Sequence, residues 1–254
     1  MTLIIGIAWR DGVVVASDSA ATDTTSGIGQ PIKKISEIAG TNILWGASGD
    51  HGLVQKVRAA LTEFRKPPAS LRSCSQILST LIGPVLAESA KYHVPYPAPG
   101  FENPPVFTGL FAGADAKAGP WILEVEKDNR STCYGEQMGC FAAVGSGKLL
   151  AQAVFRPHLF TPLPERDEEW AKVIAHKVVE DAVELSSARG LGLPVQMWII
   201  RKGKKPRALK SDDLRVLGDS CEILRAEQRD ALGKVASRQA GTQQEPEIPR
   251  PQER

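Results

Sequence analysis

Two apolar runs begin almost at the first residue of this chain: Leu3–Trp9 (LIIGIAW) and Val13–Ser17 (VVVAS), separated by Arg10-Asp11-Gly12. Aliphatic and β-branched runs of this length joined through Asp-Gly predict a tight β-hairpin. The chain must therefore enter its buried core at the third residue. Strict alternation about an Asp11-Gly12 turn pairs Ile5 with Asp18 and puts Asp18 on the hairpin face opposite Thr2. A bulge or a strong twist would then be needed to bring those two together.

Further along, Pro31–Ile38 (PIKKISEI) and Asn42–Ala47 (NILWGA) read as a second strand pair about the Gly40 turn. Leu53, Val57, Leu61 and Phe64 then recur at helical spacing until Pro67-Pro68, with Ser48 and Asp50 as candidate N-caps. A second helix is expected over 70–92, with Leu71, Ile77, Leu81, Val85 and Leu86 as its core stripe and a kink at Gly83-Pro84. Residues 93–105 hold five prolines and read as an exposed loop. Strands are expected again at Val106–Ala112, Trp121–Val125 and Cys140–Val144, then helices at Lys148–Phe155 and Trp170–Arg189. In the latter, Trp170, Val173, Ile174, Val178, Ala182 and Leu185 line one side. Val195–Arg201 is the last expected strand.

Strands and helices thus come in runs and do not alternate, which excludes a Rossmann-like sheet. The order fits an α+β fold, a four-layer αββα sandwich of two antiparallel sheets between helical layers. With 254 residues and 42 % hydrophobic content the chain can bury one large core, assigned to residues 1–225. From Ala226 the sequence is rich in Gln, Glu, Arg and Pro, and residues 226–254 read as a disordered tail.

Composition excludes several functions. A net charge of +2 from 31 basic and 29 acidic residues gives no reason to expect a nucleic-acid or membrane partner. The apolar start has no basic leader and is broken by Arg10 and Asp11, so it is neither a signal peptide nor a membrane span, and a cytoplasmic location is the default expectation. Cys74, Cys133, Cys140 and Cys221 show no C-x-x-C pairing and read as buried thiols. His51, His93, His158 and His176 are scattered, with no zinc spacing, so no metal and no cofactor are expected. Gly145-Ser146-Gly147-Lys148 is not a phosphate loop, because Ala142 stands where its first glycine is required and Leu149 follows the lysine.

Thr2 gives the early core a chemical purpose. Methionine is trimmed when a small residue follows, and the exposed threonine then holds a nucleophilic Oγ and a free α-amine of ordinary pKa about 7.7 to 8 that can take its proton. A rigid strand starting at residue 3 would hold both groups in place. Lys33-Lys34 offers a cation to lower the amine's pKa, and Asp18 offers a carboxylate to partner a buried lysine.

Thr2, DGVVVASDSAAT at 11–22, KKI at 33–35, GASGD at 46–50 and GSG at 145–147 together resemble a proteasome β-type subunit of the N-terminal-nucleophile hydrolases. The match needs no gap from Thr2 through Lys34, is strongest over the first sixty residues, and extends through the strand ending near Lys202. With no propeptide ahead of the threonine, the chain is more similar to the simple bacterial forms, HslV-type peptidases and bacterial β-proteasome homologues, than to archaeal or eukaryotic β subunits. The resemblance implies Thr2 as nucleophile with its own amine as base, Lys34 as the cation that lowers the amine's pKa, Asp18 as that lysine's partner, and Ser146 as a hydrogen-bonding support of the amine. It places the oxyanion donor on the backbone N–H of Ser48, where the family normally has glycine. It places substrate-pocket positions on Ala21, Ile32, Ser36, Gly46, Asp50 and Val54; small Ala21 and Gly46 imply a roomy pocket, and Asp50 would favour a basic residue if it points inward. The family's aspartate after the penultimate long helix is missing from Ser186-Ser187-Ala188-Arg189-Gly190.

The function this implies is a self-compartmentalising threonine peptidase that forms stacked homo-oligomeric rings, acts on peptides and unfolded proteins, and works with an ATPase unfoldase. Two other readings stand beside it: an amidohydrolase of small acyl amides using the same N-terminal chemistry, and a catalytically silent ring-assembly subunit that keeps Met1.

Overall fold

The computed structural model describes residues 2–22, 29–63, 71–91, 107–117, 119–126, 131–134, 139–161, 166–186 and 191–242. In chain order the elements are β1 (Ile4–Trp9), β2 (Gly12–Ser17), β3 (Ala20–Thr22), β4 (Gly29–Pro31), β5 (Ser36–Glu37), β6 (Leu44–Gly49), α1 (His51–Leu61) and α2 (Leu71–Lys91). They continue with β7 (Phe107–Asp115), β8 (Gly119–Glu126), β9 (Ser131–Tyr134), β10 (Phe141–Val144), α3 (Lys148–Phe155), α4 (Glu168–Leu185), β11 (Gln196–Arg201), β12 (Arg207–Ala208) and α5 (Ser211–Thr242).

Two five-stranded antiparallel sheets carry the fold, ordered β10-β1-β2-β11-β12 and β5-β6-β7-β8-β9, and β3 pairs separately with β4. Side chains alternate along each strand, so every central strand faces two cores. On β1, Ile5 and Ile7 join Leu3 in a core shared with α3, α4 and α5, while Ile4 and Ala8 join Leu44, Leu110 and Ile122 between the sheets. The second sheet buries Trp45, Phe107 and Phe111 under Leu53, Val57 and Leu61 of α1 and Leu78, Ile82 and Leu86 of α2. The architecture is the α+β, αββα sandwich expected from the sequence.

The first hairpin forms, but its turn is Arg10-Asp11 rather than Asp11-Gly12. Trp9 faces Gly12, Ile5 faces Ala16, and Ile4 faces Ser17. The glycine is needed for packing: a Cβ on Gly12 would lie 2.3 Å from the Ile200 carbonyl oxygen and 2.4 Å from the Trp9 ring. In this register Asp18 comes level with Leu3, whose carbonyl accepts from the Asp18 N–H at 3.2 Å.

Other differences have local causes. The expected strand over 31–38 is divided between β4 and β5, with residues 32–35 outside both ladders. Helix α2 runs through Pro84. Leu185 ends α4 at 62 % exposure, off the buried stripe of Ile174, Val178 and Ala182. Helix α5 is absent from the sequence reading, although Leu214, Leu217, Cys221 and Leu224 repeat at helical spacing and pack on the α4 side of the core. It continues past residue 225 to Thr242, through residues assigned to an unstructured tail. Its Glu, Gln, Arg and Ala residues have high helix propensity, and extending an already anchored helix needs no new nucleus. The proline-rich 93–105 segment, Pro67-Pro68 and residues 243–254 lie outside the described residues. No helix among the described residues is long and apolar enough to cross a membrane.

Gly12→Ala forces a methyl group into backbone, so it should lower unfolding free energy by about 2 to 3 kcal/mol. Urea denaturation checks this, and a change within about 0.5 kcal/mol would contradict the packing role.

Candidate active site

Several sequence-distant segments meet where β1 begins. The Thr2 backbone N–H donates to Ser146 Oγ at 3.1 Å, and the Thr2 carbonyl accepts from the Gly147 N–H at 3.3 Å. Gly145 permits this approach: its φ is +98°, and a Cβ there would lie 2.1 Å from the Thr2 carbonyl oxygen. The same hypothetical Cβ would lie 3.2 Å from Ser48 Oγ, so Ser48, half-buried on β6, borders this loop.

Asp18 is fully buried just past the end of β2. Its Oδ1 accepts from Lys34 Nζ at 2.6 Å and from the Leu3 N–H at 2.9 Å; its Oδ2 accepts from the N–H groups of Ala20 at 3.2 Å and Gly192 at 3.3 Å. No bulge is needed to link Asp18 with Thr2, because the link runs through the adjoining Leu3 amide. Lys34 is 7 % exposed. Burial pushes its ammonium below its ordinary range, and the charge and hydrogen bond of Asp18 oppose that shift. Lys34 and the Leu3 N–H thus share one acceptor, Asp18 Oδ1.

The pocket positions are less uniform. Ile32 is 39 % exposed, Ser36 pairs with Trp45, and Val54 packs toward the core under α1. Ala21 faces Gln30 across β3 and β4. A Cβ on Gly46 would lie 2.7 Å from the Lys34 carbonyl oxygen and 2.9 Å from Ile4 Cδ1, so the glycine admits the lysine-bearing segment. Asp50 caps α1, its Oδ1 accepting from the Leu53 N–H at 2.9 Å. Of the segment that lacks the family aspartate, 187–190 lies outside the described residues. Just beyond it, Gly192 supplies the amide to Asp18 and accepts from the Ser19 N–H at 2.9 Å.

Sequence reading missed Glu124, Tyr134, Gln196 and Gly192. Glu124, 2 % exposed on β8, accepts from Lys148 Nζ at 2.5 Å and from the Tyr134 hydroxyl at 3.0 Å, tying the start of α3 to the second sheet. Its signal was present as a lone charge inside the apolar run WILEV. Gln196 bonds the backbone of residues 32 and 34, and nothing in local sequence announces that.

His176 and Glu180 of α4 and Cys221 of α5 place ligand-type atoms within 4.8 Å of one another. Arg225 already holds Glu180 Oε2 at 3.1 Å, and a cation there opposes a metal. Burial pushes the Cys221 thiol up to about 12 and the His176 imidazole down, as suits a polar seam between helices.

The sandwich of two antiparallel sheets between helical layers is a fold met in known proteins. The family model described as "Proteasome subunit" matches residues 2–195, and the chain belongs to that family. Its fold is similar to that of Anbu (ancestral beta-subunit) from Yersinia bercovieri, with a TM-score of 0.66, 12 % identity, and coverage of 98 % of this chain and 100 % of that one. No curated protein matches the sequence.

Removing one partner of a buried ion pair costs about 3 to 5 kcal/mol. Asp18→Ala should fall in that range and exceed Lys34→Met, since Asp18 without the lysine still accepts three backbone N–H bonds. Equal losses on urea denaturation would contradict this. Burial, reinforced by Glu124, pushes the Tyr134 phenol up to about 12. An unfolded tyrosine ionises near 10, so stability should fall as pH rises between those values. Tyrosinate absorbance should show a late step that Tyr134→Phe removes; ionisation of Tyr134 near 10 would contradict it.

Proposed function

We propose that this proteasome-family subunit is a threonine peptidase acting through Thr2 after loss of Met1, within stacked homo-oligomeric rings that admit peptides and unfolded chains. The observation that carries this reading is the grip on residue 2 from both sides: Ser146 on its nitrogen, and Asp18, itself bonded to Lys34, on the next amide. In this mechanism the freed α-amine, its pKa lowered by Lys34, takes the proton from Thr2 Oγ as the oxygen attacks the scissile carbonyl. The Ser48 N–H stabilises the developing oxyanion. The amine then protonates the leaving amine of the substrate, and water hydrolyses the acyl ester. Ala21, Ile32, Gly46 and Asp50 border the substrate, and an ATPase unfoldase would feed the chamber. Neither metal nor cofactor takes part.

The absence of an aspartate from Ser186–Gly190 favours a second reading, a catalytically silent ring-assembly subunit. Peptide hydrolysis separates the two. Thr2→Ala should lose at least about 10³-fold in kcat, the scale of losing a nucleophile, while Thr2→Ser keeps measurable turnover. Retained hydrolysis in Thr2→Ala would overturn the proposal, and a monomer in light scattering would remove the chamber.

A further inference from the structure

Lys34 must point its ammonium at Asp18, yet its own backbone belongs to neither sheet. Residues 32–35 lie between β4 and β5 without strand pairing. Three hydrogen bonds fasten the start of this segment to the first sheet and its margin. The Ile32 N–H donates to the Ser19 carbonyl at 2.8 Å. Gln196 supplies the other two from one side chain: its Oε1 accepts from the Lys34 N–H at 3.2 Å, and its Nε2 donates to the Ile32 carbonyl at 2.5 Å. Gln196 sits on β11 opposite Ser17, one residue before Asp18. Its amide therefore replaces a missing strand rung at the place where the lysine must be held.

We propose that Gln196 is a positioning residue for catalysis, acting through the backbone of residues 32 and 34 to set where Lys34 delivers its charge; this rests on the threonine-peptidase reading. Both ends of the amide are used. A carboxylate keeps an acceptor but cannot donate to Ile32, and an apolar side chain of equal length does neither. From the other side, the Lys34 carbonyl lies against Gly46, so the segment is confined between the sheets once the amide is in place. Small displacements of a supporting group cost catalysis more than binding when the group acts on the reacting amine.

The test uses the assembled full-length protein, a fluorogenic peptide, and the variants Gln196→Met and Gln196→Glu. Both should lower kcat by about 10-fold or more with KM within about twofold, the mark of misplacement rather than lost substrate binding. The acidic limb of the kcat profile should move up by about 0.5 pH unit or more, because the amine feels less of the Lys34 charge. Amide hydrogen exchange over 30–36 should quicken in both variants while the rest of β11 stays protected. An active wild type with unchanged kcat and pH profile in Gln196→Met overturns this inference alone. A wild type inert toward the peptide overturns the threonine reading and the catalytic role of Gln196 with it. Unchanged exchange over 30–36 overturns the clamp itself.

Discussion

The buried carboxylate of Asp18 is the point through which the rest of the site is connected. It joins four donors from separate parts of the chain: the Leu3 amide at the head of β1, the Ala20 amide at the head of β3, the Gly192 amide before β11, and the Lys34 ammonium. A carboxylate with no solvent access is tolerated only when its lone pairs are filled and its charge is balanced, and all four contacts serve that end. Strand order brings them together: β2 lies between β1 and β11, so the residue that follows β2 is flanked by the start of one strand and the approach to the other.

Glycines then allow backbone to close on this point. Gly145 lets the Ser146 loop touch the Thr2 carbonyl, and Gly46 lets the Lys34 carbonyl rest against β6. Neither would accept a methyl group without moving main chain. The same loop leads into Lys148, whose pairing with buried Glu124 anchors the start of α3 to the second sheet. Thr2 is thus fastened by the Ser146–Gly147 loop on its own backbone and by Asp18 through the Leu3 amide.

What could be read from sequence was what depends on near neighbours. The β1–β2 hairpin, the bounds of α3 and the Asp50 cap on α1 follow from periodicity and capping within a few residues. The Asp-Gly preference misplaced the hairpin turn by one residue, because Gly12 answers to Trp9 and to Ile200 in a strand far along the chain. Helix α5 carried a legible apolar stripe beneath a strongly polar composition. Thr2, Asp18 and the Lys33-Lys34 pair were candidates on their own chemistry, and resemblance singled out Lys34 and added Ser146, whereas the partners of Gln196 and Gly192 are long-range contacts that no local pattern encodes.

The account comes down to whether residue 2 presents a free, activated amine and hydroxyl. Purified assembled protein can be treated with a threonine-directed electrophile that bonds to both groups, then weighed intact and mapped by peptide mass spectrometry. The account predicts chains lacking Met1 and carrying one adduct on the peptide that begins at Thr2. Chains that retain Met1, or that have lost it and stay unmodified under the same treatment, would contradict it.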